Sequence, residues 1–396
     1  MRSVALDLGA KSISYCEVKD GQVVDRATVR KLSDLQDRLG PKSPAARVAF
    51  EACREAWHVH DWLARAGHTP LMVDTTRVKQ IGIGQHRRKN DRIDAETLAR
   101  SVDQNTLPAA HVLSAHRREL RYQLSIHRAL VDSRAHLVAL ARETARGRAH
   151  QLPSCATANF AAKLREAPLE ESTRTLLDPL LKVVDVLDRE IDSADQALVD
   201  RCKEEPVIAQ LMTAPGVGPI VAAAFVSVID EAKRFSNAHQ VEAYLGLVPS
   251  ENSSGNPKKQ RLGSITKQGN SYARAMLVQA SWTILLRSDE NDPLRRWGEA
   301  VAQRRGKRVA VIAIARRLAG VLWAMWRRGT VYDPRALGAA TAAGMKGAAR
   351  TIEAAAQDIA IAARKYKRLG TPEQPERLIK PRRRKPSTAM MTTTAA

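Results

Sequence analysis

Apolar positions in the first hundred residues fall in short runs and alternations that predict strands. "SVALDLG" (3–9) is an apolar run closed by glycine, and "SISYCEV" (12–18) and "QVVDRATVRK" (22–31) alternate on either side of an Asp20-Gly21 turn. "ARVAFEA" (46–52) reads as a fourth strand, and "REAWHVHDWLARAG" (54–67) spaces its apolar residues as a helix does. "TPLMVDT" (69–75) is a last short strand and "DRIDAETLARSV" (91–102) a helix. Three strands, strand, helix, strand, helix is the order of an α/β domain. It fits a mixed sheet whose first three strands run in antiparallel succession.

The pattern changes after about residue 112, where long charged helices begin. Leu180, Val184, Leu187, Ile191, Ala194 and Leu198 alternate steps of four and three, the seam of a helical hairpin or coiled coil serving as scaffold or oligomerisation arm. From 206 the chain reads as a mainly helical domain. Within it "LMTAPGVGPIVAAAFVSVI" carries a helix-hairpin-helix signature. Gly216 and Gly218 allow a tight turn, Pro219 suits a first helical position, and the backbone N–H groups there can hold a nucleic-acid phosphate. An ordinary turn between packed helices is the plainer alternative. An Ala-rich helix and a disordered basic tail, "KPRRRKPSTAMMTTTAA", are expected at the end. The predicted domains are 1–108, 109–205, 206–335 and 336–396.

Composition then narrows the partner. Lys and Arg number 64 against 42 Asp and Glu, a net charge of +22 over 396 residues, and such an excess points to a polyanion. The charge is spread along the chain, which favours nucleic acid over a membrane surface. Aromatics are only 4%, so base stacking is not the main mode of binding. Cys16, Cys53, Cys155 and Cys202 form no CxxC pair, which reads as a reducing cytoplasm without zinc site or disulfide. "MRSVALDLGAKS" is too polar for a signal peptide, and Arg316 and Arg317 interrupt "VAVIAIARRLAGVLWAMW", so no membrane span is expected.

Four carboxylates supply candidate chemistry. Asp7 ends the first strand, Glu51 ends the fourth, and Asp91 and Asp94 share one helix face in "KNDRIDAETLA". Strands one and four are commonly neighbours in a sheet of this order, and a helix crossing their end would bring the two aspartates opposite. Converging carboxylates repel unless cations neutralise them, and hard oxygen ligands suit Mg²⁺. A pair of such ions about 3.5–4 Å apart can clamp a scissile phosphate.

"LDLGAKS", "FEAC" and "KNDRIDA" together resemble the DEDD domain of insertion-sequence transposases of the IS-one-ten and IS-eleven-eleven type. "AYLGLVPSENSSGNPKKQRLGSITKQGNSYARAMLVQASW" resembles the C-terminal transposase domain of the same family, through "GL-x-P…SG-x…K…G-x-I-x-K-x-G-N-x-x-x-R". The resemblance implies a RuvC-like domain of the ribonuclease H superfamily, with Asp7, Glu51, Asp91 and Asp94 binding Mg²⁺. It implies a serine nucleophile at Ser254, or at Ser253 by a one-residue slip, forming a 5′-phosphoserine link to DNA. Lys258, Lys259, Arg261, Lys267 and Arg274 would then meet phosphate. Donor and target DNA, a noncoding bridge RNA that guides the reaction, and a homodimer or homotetramer with sites composed across subunits are the implied partners. Asn256-Pro257 departs from the family pattern, and the chain beyond about 335 has no counterpart in it.

Rival readings make different demands. An actin-like or sugar-kinase ATPase would need a second Gly-rich phosphate segment downstream of "DLGAKS", and none follows. A Holliday-junction resolvase would use the same carboxylates to activate water with no covalent link. A noncatalytic nucleic-acid scaffold would need neither serine nor carboxylates.

Overall fold

Val4, Ala5 and Leu6 are fully buried because the strand that holds them, β1 (Arg2–Leu8), is central and covered on both faces. The computed structural model describes residues 1–74, 91–251 and 262–337, with the side chains of 91–93 and 336–337 left aside. The chain divides into two units, Met1–Leu113 and the remainder from Ser114.

In the first unit, β2 (Ile13–Lys19) pairs antiparallel with β1, and β3 (Gln22–Val29) antiparallel with β2. On the other side, β4 (Ala46–Glu51) and β5 (Thr69–Val73) run parallel to β1, giving the order β3-β2-β1-β4-β5. A short helix α1 (Gln36–Leu39), which the hydrophobic pattern does not announce, buries Leu39 beside α2 (Ala56–Arg65). Period-two alternation sorts the strand residues. Val4, Leu6, Val48, Phe50 and Met72 meet Val59 and Leu63 of α2, whereas Ala5, Cys16, Ala49 and Val73 meet α3 (Asp91–Asp103) through Ala95, Leu98, Ala99 and Val102. An α/β first unit follows from the sequence as expected.

His68 locks the α2 side. Its Nδ1 accepts from the Ala46 N–H at 3.2 Å, so Nε2 carries the proton and donates to the Leu39 carbonyl at 2.9 Å. Burial lowers its pKa from the ordinary 6.5, with the Leu39 bond opposing. The unfolded chain therefore binds a proton more readily than the folded one below pH 6.5. The stability His68 contributes is complete above that value and is lost as pH falls toward the folded pKa. Urea unfolding from about pH 7.5 down to about pH 5 should cost wild type on the order of 1 kcal/mol more than His68→Gln. Equal pH dependence would contradict the neutral imidazole.

The second unit begins with a helical hairpin. α4 (Ala115–Gly147) and α6 (Glu171–Lys203) are 33 residues each. Arg117 pairs with Glu205 at 2.9 Å, His127 with Asp195 at 2.8 Å and Arg134 with Asp188 at 2.7 Å. Each advance along α4 is matched by an equal retreat from Glu205 along α6, so the helices are antiparallel. α5 (Phe160–Glu166) closes the far end over Val138, Ala141, Leu177, Leu181 and Val184. The expected seam is met at Val184, Ile191 and Leu198, but it is Leu177 and Leu181 that are buried, with Leu180 at the margin.

The rest is mainly helical around α8 (Pro219–Ile229), every residue of which is buried. It follows α7 (Pro206–Leu211) and packs with α9 (Ala238–Tyr244), α10 (Ser271–Arg287), α11 (Pro293–Arg305) and α12 (Lys307–Arg328). By length and composition alone α12 could cross a membrane, but half of it is buried and its apolar side joins this core through Val311, Ile314, Leu318 and Leu322. The two arginines that interrupt it are engaged: Arg316 bonds Glu242 at 2.6 Å, and Arg317 lies 4.9 Å from the Trp297 ring centroid. The Ala-rich segment and basic tail lie outside the described residues.

Candidate active site

Parallel pairing of β1 with β4 aligns Leu6 with Phe50, so Asp7 and Glu51 come level at the C-terminal ends of adjacent strands. Alternation puts both on the Ala5 and Ala49 face, the one that α3 covers. The direction of α3 is fixed at its far end, where Asp103 accepts from Ser3 Oγ and from the Gly21 N–H, both at 3.0 Å. From Asp103 back to Asp94 the helix rises about 13.5 Å, and from Ser3 to Asp7 the strand advances about 13 Å. The first turn of α3, with Asp91 and Asp94, is thereby delivered to the end of the sheet that carries Asp7 and Glu51. Glu51 is exposed, while Asp7 and Asp94 are half-buried. Among the described residues no three His, Cys, Asp or Glu side chains stand close enough to hold a metal ion, and the Asp91 side chain lies outside them. The set nonetheless offers only carboxylate oxygens, the donor type that Mg²⁺ prefers.

Ser253, Ser254, Lys258, Lys259 and Arg261 lie outside the described residues, but the chain on both sides of them is placed. β6 (Pro249–Glu251) and β7 (Leu262–Ile265) pair antiparallel, Pro249 with Ile265 and Glu251 with Leu262. Residues 252–261 thus leave and return at adjacent points. Hydrophobic patterning misses this hairpin because neither strand exceeds four residues.

A bracket holds the base of the hairpin. Gly246, at φ +69°, lies so near Gln268 that a Cβ would overlap that residue's carbonyl oxygen, and Gly269, at φ +88°, stands likewise against the Tyr244 carbonyl. The Lys267 N–H donates to the Gly246 carbonyl at 3.1 Å, and the Thr266 N–H to Val248 at 2.9 Å. Asn270 caps α10, accepting from the Ala273 N–H at 2.8 Å. Arg274 Nη1 donates to the Leu245 carbonyl at 3.0 Å and to Gln268 at 3.3 Å, and burial lowers its pKa. Two motif residues named for phosphate contact therefore have placements of different kinds: Lys267 is exposed, and Arg274 ties protein backbone together. Reading the motif from sequence missed the cap at Asn270, although Gly-Asn followed by a helical run is a legible start signal.

Gly216 and Gly218 join α7 to α8. Gly216 lies against α10, where a Cβ would come 2.6 Å from the Ala280 carbonyl oxygen. Its bare Cα is thus required by helix packing, and Gly218 is the residue before Pro219 at the N-terminus of α8.

Residues 208–295, spanning α8 through the hairpin and α10, match the model of the Transposase IS116/IS110/IS902 family. Over 301 residues the chain is 29% identical to "Probable family 20 transposase" of Pseudomonas aeruginosa, covering 74% of this chain and 87% of that protein. The "Transposase for insertion sequence element IS1111A" of Coxiella burnetii is 26% identical over 84% of this chain and 91% of its own length. That of IS1328 from Yersinia enterocolitica is 25% identical over 83% and 98%. Over most of its length the chain is similar to IS110-type insertion-sequence transposases. These alignments extend well beyond the residues that match the family model. In this chain the described part of the matched region includes the bracket at the base of β6 and β7.

Proposed function

We propose that this chain is a transposase that cuts and rejoins DNA through a covalent serine intermediate, with a carboxylate set from the first unit binding the divalent metal. The observation that supports the reading most is the delivery of Asp7, Glu51 and the first turn of α3 to one end of the sheet. The sheet order β3-β2-β1-β4-β5 supports a RuvC-like assignment for the unit, and the pairing of β6 with β7, the strands on either side of the serines in sequence, supports the serine reading.

Ser254 Oγ attacks the scissile phosphorus, with Ser253 the alternative. The P–O3′ bond breaks as the new P–Oγ bond forms, the serine proton passes to the departing oxygen, and the strand is left with a 3′-hydroxyl. A 3′-hydroxyl from another strand then attacks the phosphoserine and releases the serine. One phosphoester is exchanged for another at each step, so no nucleotide cofactor is required. Asp7, Glu51, Asp91 and Asp94 would hold Mg²⁺, which supplies charge stabilisation for the phosphoryl oxygens. Lys258, Lys259, Arg261 and exposed Lys267 offset phosphate charge near the nucleophile. Donor and target DNA are the substrates. A bridge RNA that chooses them by base pairing, and a dimer or tetramer with sites composed between subunits, complete the reading.

A strand-exchange assay with element-end DNA and Mg²⁺ tests it. Ser254→Ala is expected to lose exchange by on the order of 10³-fold or more. Undiminished cleavage in that variant would favour the resolvase reading, in which water is the nucleophile.

A further inference from the structure

We propose that the corner where α11 meets α12 is a binding surface for the phosphodiester backbone of a duplex nucleic acid, an inference that rests on the nucleic-acid reading above. Gly306 alone separates the two helices. Around it every residue from Gln303 to Val309 is exposed, and four of the seven, Arg304, Arg305, Lys307 and Arg308, are basic. Arg296 extends the stripe down the exposed side of α11, two helical turns before Arg304. No carboxylate pairs with any of these five among the described residues. Neighbouring Glu299 is engaged with Arg295 at 2.9 Å, and the nucleophilic and metal-binding chemistry proposed above uses none of the five.

Folding does not account for these charges. Lys307 and Arg308 occupy the first turn of α12, where the helix dipole disfavours cations, and that turn contains no acid. Arg304 and Arg305 sit with them across the one-residue turn, so like charges are gathered where each raises the energy of the next. A polyanion reverses the sign of that interaction. The exposed stretch holds no Phe, Tyr or Trp, so it has nothing on which to stack unpaired bases as single-strand binders do. A protruding row of guanidinium and ammonium groups matches the phosphates of a duplex, read without regard to sequence. "RRGKR" is the sequence signal, though the chain's overall basic excess hides it.

The test uses the full chain and measures affinity against salt for duplex DNA, duplex RNA and single-stranded DNA. The fourfold variant Arg304→Gln, Arg305→Gln, Lys307→Gln, Arg308→Gln is compared with wild type and with Arg327→Gln, Arg328→Gln at the opposite end of α12. Each phosphate contact contributes about 0.9 to the salt slope, so the fourfold variant should flatten the duplex slope by about 3.6. It should also bind about 100-fold more weakly near 0.1 M salt, with the control pair within about threefold of wild type. The DNA and RNA arms tell which duplex is held. On wild type, duplex should protect Lys307 from amine acetylation, a readout independent of any variant's folding. An unchanged slope in the fourfold variant, an equal loss in the control pair, a loss confined to single strands, or an unprotected Lys307 would each overturn the proposal. If wild type binds and cuts DNA while any of these occurs, the corner alone is wrong. If wild type binds no nucleic acid, the proposed function fails with it.

Discussion

Asp7→Asn is expected to slow strand cleavage by on the order of 10³-fold while shifting the melting temperature by no more than about 2 °C. The two readouts separate because of where Asp7 sits. It is the penultimate residue of β1, half-buried, after the fully buried Val4, Ala5 and Leu6 have made the contacts that hold the strand. Asparagine keeps the volume and hydrogen-bonding capacity but removes the negative charge, and metal affinity follows charge. Glu51→Gln should behave in the same way, because its strand is held by Val48, Ala49 and Phe50 and the glutamate is exposed. Cleavage within about threefold of wild type in Asp7→Asn would remove the first unit from the chemistry.

The second large effect is structural. Gly246→Val is expected to destabilise the second unit by about 3 kcal/mol or more and to abolish strand exchange. A side chain at φ +69° is strained in itself by about 1–2 kcal/mol, and here its Cβ would also overlap the Gln268 carbonyl. Relief requires 244–246 to part from 267–269, which breaks the Lys267 and Arg274 bonds that set the base of the hairpin. Gly67→Ala makes a useful comparison, since that glycine also has positive φ, +86°, but has nothing within 4 Å of a built Cβ. It should show the conformational strain alone. Thermal unfolding with matched exchange assays measures both, and equal losses in the two variants would show that the close packing at Gly246 is unimportant.

Much of the first unit was legible because its strands carry their burial in period two and its turn residues mark the breaks. The pairing of β1 with β4, and hence of Asp7 with Glu51, follows from the order of elements. What patterning could not give was the direction of α3, which depends on Asp103 reaching Ser3 and Gly21 some eighty to a hundred residues away. In the helical hairpin Leu177, Val184, Ile191 and Leu198 keep the seven-residue spacing of the expected seam, whereas beside them Leu181 rather than Leu180 is buried. The β6–β7 hairpin was illegible for another reason. Its short strands are mostly exposed, Pro249–Glu251 and Leu262–Ile265, and their pairing is enforced by glycines and an arginine outside them. Among the recognised motif residues, Gly246, Gly269 and Arg274 also hold the backbone at the base of the hairpin.

The proposed chemistry requires a serine of the hairpin to become joined to DNA with the help of acids from the other unit. Denaturing gel mobility of the protein after incubation with labelled element-end DNA and Mg²⁺ reads this directly. Wild type should yield a slow-migrating band that survives denaturant and carries the fragment whose 5′ phosphate lies at the cut, while Ser254→Ala and Asp7→Asn yield none. A band of undiminished strength in Ser254→Ala and in Ser253→Ala alike, or cut DNA from wild type with no joined protein, would contradict the account.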